Sequence, residues 1–71
     1  MTDQSIAGEV RAVIARKRAS QTELAAALNL TKSALSRRVH GKIPFSAVEL
    51  GRLAHELGVP VQKLYGEEDA A

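Results

Sequence analysis

The chain has 71 residues, which suits a single domain. Because so short a chain buries only about 60% of its unfolded surface, a dedicated enzyme pocket would be hard to build. It contains no cysteine, which excludes disulfides and thiolate zinc sites as supplements to the core. The formal net charge of +2 indicates no partner by itself, so the charges have to be examined by position.

The first predicted helix lies near the N-terminus. Four apolar residues follow the i, i+4, i+7, i+8 spacing of an amphipathic helix: Ile6, Val10, Val13 and Ile14. The basic residues at positions 16–18 then suit the negative end of the helix dipole. The pattern predicts a helix that buries one apolar face.

A second short helix is predicted to begin at Gln21. Ser20, followed three residues later by Glu23, has the spacing of a capping box, in which the two side chains satisfy the free amides at a helix start. Asn29 tolerates the left-handed conformation that often follows a helix, so it predicts a tight turn there.

A third helix is predicted between Thr31, which can cap its start, and Gly41, which ends it. Leu35 and Val39, four residues apart, are predicted to face the core. The opposite face then carries Ser33, Ser36, Arg37 and His40. Two short helices joined by a tight turn, the second with a cationic outer face, form a unit suited to a DNA groove.

Two further helices complete the predicted fold. Ser46 and Glu49 repeat the capping-box spacing, and Gly58 ends the fourth helix. Pro60 suits the first turn of a short fifth helix, which Gly66 closes. The inward residues of the fourth helix are Leu50, Leu53, Ala54 and Leu57. We predict an all-α, five-helix bundle over residues 1–66, followed by a short acidic tail over residues 67–71.

The charges are distributed unevenly along the chain. The segment from Arg11 to Lys42 has eight basic residues and one acidic residue, a formal charge of +7, whereas the remainder has two basic and seven acidic residues, a charge of −5. One face should therefore attract polyanions. Charges that merely solvate helices are the alternative, but the basic segment coincides with the predicted helix-turn-helix, which favours nucleic acid.

Two segments, QTELAAALNLTKSALSRRVHGK and ELGRLAHELGVPVQKL, resemble the lambda-repressor-like family of bacterial and phage regulators, also called the Cro/C1 or Xre type. The resemblance implies that the third helix lies in the major groove of double-stranded DNA and that the second lies across it near the backbone. Two positions depart from the family pattern. Asn29 stands where the family often has glycine, and Arg38 stands where many relatives bury an apolar residue.

The resemblance also implies roles for individual residues. The candidates for reading base edges are Lys32, Ser33, Ser36 and Arg37, whose types fit because arginine and lysine suit guanine and serine suits more than one base. The candidates for phosphate contacts are Gln21, Thr31, Arg38, His40, Lys42, Arg18 and Lys17. Two alternatives stay open: Arg38 as a solvated charge without a DNA role, and the two serines as ordinary surface residues.

The sequence offers no constellation for catalysis. His40 and His55 lie on different predicted helices, without HExxH-like spacing and without a nucleophile paired to a base. We therefore expect no enzyme activity, no metal, no cofactor and no small-molecule ligand. Phe45 and Tyr65, the only aromatic residues, are expected to anchor the core or an interface rather than to stack on bases.

We predict a sequence-specific transcriptional regulator, a small Cro/C1-like repressor that occupies an operator. Because one such unit reads few base pairs, we expect a homodimer on a palindrome with half-sites about 34 to 36 Å apart. Leu64 and Tyr65 are the predicted dimer surface, and closure of the core is their alternative role. The alternative function is a protein-interaction module, such as an antitoxin or adaptor.

With no apolar run near the roughly 18 to 20 residues of a membrane span, and no signal-peptide pattern, we expect a cytoplasmic location.

Overall fold

The computed structural model describes residues 3–65, and the side chains from residue 5 onwards. Within that range the chain forms five helices and no strand, which confirms the predicted all-α fold: α1 (Asp3–Lys17), α2 (Gln21–Ala27), α3 (Lys32–Val39), α4 (Ala47–Leu57) and α5 (Val61–Tyr65). Gly66, predicted to close the fifth helix, and the acidic tail over residues 67–71 lie outside the described residues. None of the helices in residues 3–65 combines the length and apolarity that a membrane crossing requires.

Three hydroxyl residues cap the starts of α2, α3 and α4. The side-chain oxygens of Ser20, Thr31 and Ser46 accept hydrogen bonds from backbone amides three residues ahead, at 3.2, 3.0 and 3.1 Å. At α4 the predicted capping box is complete, because Oε1 of Glu49 accepts the Ser46 amide at 2.9 Å. At α2 the structure has the serine half, and Glu23 instead lines a surface groove, so that predicted box is corrected to a single cap.

Within residues 3–65, four helix ends pass through a left-handed residue. Asn29, Gly41 and Gly58 have φ values of 61°, 79° and 70°, which confirms the predicted ends of α2, α3 and α4. The end of α1 was not predicted in this form, because the left-handed residue there is Arg18, with φ of 54°. In each case the next amide bonds to a carbonyl five residues back, as when Ala19 N donates to the Ile14 oxygen at 3.1 Å, so one carbonyl near each of these helix ends gains a partner.

The core lies between the five helices and is apolar throughout the described residues. The predicted inward faces are confirmed for α3, which contributes residues 35 and 39, and for α4, which contributes 50, 53, 54 and 57. On α1 residues 10, 13 and 14 are buried, and Ile6 is only half-buried against the same cluster. Leu64 is fully buried, so it closes the core. To contact a second chain, as predicted, it would have to leave the core. Tyr65 is half-buried against the same cluster.

The packing of the helices leaves α3 at the edge of the bundle. It packs on α1 and α2, whereas α4 packs on α1, α2 and α5 and its backbone does not come close to that of α3. One side of α3 is consequently held by the core, and its other side faces outwards. This placement presents the outer face of α3 to a partner.

Candidate nucleic-acid interface

The outer face of α3 brings together the residues predicted to read bases. Lys32, Ser33 and Arg37 are exposed and Ser36 is half-buried. At 100° per residue, these four positions fall within an arc of about 140° on the helix surface. Leu35 lies on the inner side and is fully buried. The arrangement is a narrow strip with two cations and two hydroxyls, which can donate hydrogen bonds to base edges.

The N-terminus of α3 adds a hydroxyl beside this strip. Thr31 is exposed, and its Oγ1 accepts the Ala34 amide at 3.0 Å, so the oxygen holds the helix start in place. The hydroxyl also carries one proton that can be donated outwards. Capping and an outward hydrogen bond are therefore compatible for Thr31.

The C-terminus of α3 carries an imidazole and an ammonium group. His40 is the C-cap residue, and its Nδ1 lies 3.1 Å from the Ser36 oxygen. Only the doubly protonated ring donates from both nitrogens, so this is the form that would bond to Ser36 and to an outside anion at once. Lys42 is exposed just after the left-handed Gly41, and its amide bonds to the Arg37 oxygen at 2.8 Å.

Lys17 and Arg18 lie at the end of α1, where the chain turns into α2. They are exposed and line a groove of about 410 Å³ together with Glu23 and Glu56. Glu56 comes from α4, so the sequence pattern did not show that a second carboxylate faces these cations. Gln21, in the first turn of α2, is half-buried.

Arg38 makes two interactions inside the protein. Its Nε lies 3.2 Å from Oε1 of Glu49, and its Nη1 donates to the Ala34 oxygen at 3.0 Å. The side chains of Arg38 and Glu49 are only 18% and 20% exposed. A phosphate contact by Arg38 would therefore rest on Nη2 and on the second hydrogen of Nη1, unless the ion pair opened.

Two further arginines support the helix-turn-helix and were missed by the sequence analysis. Nη1 of Arg11, on α1, donates to the Val39 oxygen at 2.7 Å, and Nη1 of Arg52, on α4, donates to the Ala27 oxygen at 3.4 Å. These acceptors are the last residues of α3 and α2, where helix carbonyls lack internal partners and cations are favoured. The contacts span 28 and 25 residues, so no local pattern signals them.

The predicted excess charge is therefore divided between two uses. Of the eight basic residues from Arg11 to Lys42, Arg11 and Arg38 bond to oxygens of the protein itself. Lys32, Arg37 and Lys42 remain exposed on or beside α3. In the part of the chain that the structure describes, no group of three or more acidic or histidine side chains could hold a metal ion.

A comparison with models of protein families finds a match to one described as helix-turn-helix, over residues 14–64. The matched segment runs from the last turns of α1 into α5 and contains α2, the turn and α3. A comparison with curated proteins finds no significant match.

Proposed function

The chain belongs to the lambda-repressor-like, Cro/C1-type helix-turn-helix family, and from this premise we propose that it is a transcriptional repressor that occupies a specific operator. Members of this family are DNA-binding regulators, and this chain is a helix-turn-helix regulator that binds double-stranded DNA. The repressor role, the recognition of one operator sequence and the pairing of two chains are the added steps of the proposal.

The observation that carries the proposal is the composition of the outer face of α3. Lys32 and Arg37 extend from the exposed side of a helix whose inner side is anchored by Leu35 and Val39. In the proposed complex, the two cations donate to guanine and the serines at positions 33 and 36 contact the neighbouring bases. Occupation of an operator in this way would exclude the transcription machinery by steric overlap.

Phosphate contacts would fix the position of α3 in the groove without reading sequence. We assign them to Gln21 and Thr31 at the starts of α2 and α3 and to His40 and Lys42 after α3. Lys17 and Arg18 are included as more distant contacts, with Glu23 and Glu56 beside them. Arg38 was predicted for the same role, but its guanidinium is paired with Glu49, so it is left out of this set.

We propose that two copies bind a palindrome, because a single α3 reads only a few base pairs. Of the two residues predicted for the dimer surface, Tyr65 is partly exposed and keeps this role. Val48, on α4, is 72% exposed and is the large hydrophobic residue that stands out at the surface of the described region. It is the second position at which self-association should be tested.

The experiment that tests the proposal is selection from a randomised duplex pool at a stated moderate salt concentration, with Arg37→Ala in parallel. An enriched palindrome that changes at one position in each half-site for Arg37→Ala would support the repressor, the dimer and the recognition face. The absence of enrichment, with only weak binding to every duplex, would contradict the proposal and favour the protein-interaction module. Salt dependence separates the two, since log K falls by about 0.9 per phosphate contact for each unit of log salt.

A further inference from the structure

The orientation of α3 about its own axis rests on few apolar contacts. Only two side chains of its eight residues, Leu35 and Val39, are buried. A rotation of α3 would move every residue of its outer face relative to the bases, and base reading depends on hydrogen-bond geometry. Accurate reading therefore calls for a second constraint on the rotation of this helix.

The ion pair between Arg38 and Glu49 supplies a constraint from the direction of α4. The backbones of α3 and α4 do not approach each other closely, and this pair is a polar connection between the two helices. Arg38 points away from the outer face, because its position on the helical wheel is about 100° beyond that of Arg37. Its Nη1 also bonds to the Ala34 oxygen one turn back, so the guanidinium is held at two points.

The carboxylate of the pair is also held by the α4 capping box, independently of Arg38. Oε1 of Glu49 accepts the Ser46 amide at 2.9 Å, and Oγ of Ser46 accepts the Glu49 amide at 3.1 Å. Because the capping box fixes Glu49, the pair costs less side-chain entropy than a pair between two freely moving chains. The N-terminus of α4 thus acts as a fixed point against which α3 is set.

From these contacts we infer that Arg38 and Glu49 form a positioning pair, which sets the rotation of α3 for base reading, and that Arg38 acts through this pair rather than through phosphate. The inference rests on the proposed function, since it concerns how the same face discriminates between sequences. It assigns a specificity role to Glu49, an acidic residue that a phosphate would repel.

The test compares Glu49→Gln, Arg38→Gln and the double variant with the unaltered chain, using the selected operator and single-base variants of it. The amide oxygen introduced by Glu49→Gln can still accept the Ser46 amide, so the α4 cap is retained while the charge of the pair is lost. We expect each single variant to lower the affinity ratio between the operator and its variants by roughly two- to fivefold, which corresponds to the upper part of the range measured for ion pairs at protein surfaces. The double variant should be no worse than the singles, because either change removes the charge attraction of the same pair.

The salt dependence of binding distinguishes this role from a phosphate contact. Under the positioning role, the salt slope stays within error of the slope of the unaltered chain in both single variants. A phosphate contact would instead lower the slope by about 1 in Arg38→Gln relative to the charge-matched Arg16→Gln. That result would overturn the inference.

Two control variants separate positioning from stability and from charge. Ser46→Ala removes the serine half of the α4 cap and leaves the ion pair in place, so it should lower stability without changing the affinity ratio at a temperature well below unfolding. Arg16→Gln removes one exposed positive charge from α1 and matches the charge change of Arg38→Gln. A drop in the affinity ratio for either control as large as that of Glu49→Gln would overturn the inference.

A measurement without DNA keeps the inference testable if no operator is found, in which case it is the proposed function that fails. The backbone amide chemical shifts of residues 32–39 should change in Glu49→Gln along the same directions as in Arg38→Gln, and should stay unchanged in Arg16→Gln. Unchanged shifts in Glu49→Gln would mean that the pair does not set the orientation of α3, whatever the chain binds.

Discussion

Arg11 and Val39, which are 28 positions apart, are joined by a hydrogen bond of 2.7 Å from the guanidinium Nη1 on α1 to the last carbonyl oxygen of α3. The carbonyls at a helix end lack internal partners and carry the negative end of the dipole, so a guanidinium is well suited to this place. The contact ties the end of α3 to α1, a helix against which it packs.

Arg11→Ala should destabilise the protein by about 1 kcal/mol, because a charge-assisted hydrogen bond at a helix end is lost from a partly exposed site. In a domain of this size that corresponds to a fall in Tm of about 4 to 8 °C. Thermal unfolding followed by circular dichroism would measure it. Arg16→Ala, an exposed arginine on the same helix, is the control, and an equal loss in both variants would argue against a specific cap.

Arg37→Ala should cost on the order of 1 to 3 kcal/mol of binding free energy at the selected operator and relax preference at one base position in each half-site. The reason is that a guanidinium on the exposed face of α3 can donate two hydrogen bonds to guanine. Competition between operators that differ at single positions would measure it. An equal loss on every sequence would contradict the base-reading role.

Lys42→Ala should weaken binding to all duplexes by a similar factor and reduce the salt slope by about 1. Its ammonium group is exposed just after the end of α3, and a point charge on phosphate carries no sequence information. Affinities measured at several salt concentrations, on the operator and on unrelated duplexes, give the slope. If the slope did not change, Lys42 would not be a phosphate contact.

Arg18→Gly should raise the free energy of unfolding by roughly 0.5 to 1 kcal/mol, because a left-handed φ of 54° is strained for arginine and free for glycine. If Arg18 also contacts phosphate, the same variant should lower the salt slope by about 1. Urea unfolding and salt-dependent binding would measure the two effects. Asn29→Gly is the control, because Asn29 is also left-handed, with φ of 61°, but carries no charge. It should give a smaller gain in stability and leave the salt slope unchanged.

Gly51→Ala should stabilise the protein by about 0.5 to 1 kcal/mol, since glycine inside a helix is costly and an added Cβ would meet no atom within 4 Å. Urea unfolding would measure the gain. Binding and self-association should not change if the outer face of α4 is free. Weaker self-association would show that a second chain packs closely against this face, near the exposed Val48.

The helix boundaries could be predicted largely from short-range chemistry. The start of α4 follows from Ser46 and Glu49, three positions apart, and its end follows from Gly58, because caps and left-handed turns depend on residues within one turn of each other. The left-handed Arg18 could not be predicted in this way. Arginine has no local preference for that conformation, and it is adopted where the chain must turn so that Ala19 packs against the core.

The candidate site was predictable to the extent that helical periodicity decides which side chains share a face. Ser33, Ser36 and Arg37 were placed together on the outer face of α3 from spacing; Ser33 and Arg37 are exposed there and Ser36 is half-buried. The position of Leu64 was left open by the sequence, since an apolar residue in a last helix can close a core or pair two chains. Its complete burial follows from the packing of α5 on α1 and α4.

The sequence alone was sufficient for the family, the five helices and the cationic face, because each depends on residues close together along the chain. The uses of the arginines depended on the tertiary structure. Arg38 was predicted to contact phosphate or to be a solvated charge, but in the structure it donates a hydrogen bond to Glu49 on α4. Arg11 had no predicted role, and the packing of α1 on α3 brings it to Val39. Long side chains reach partners that are distant in sequence, and only the arrangement of the helices selects among them.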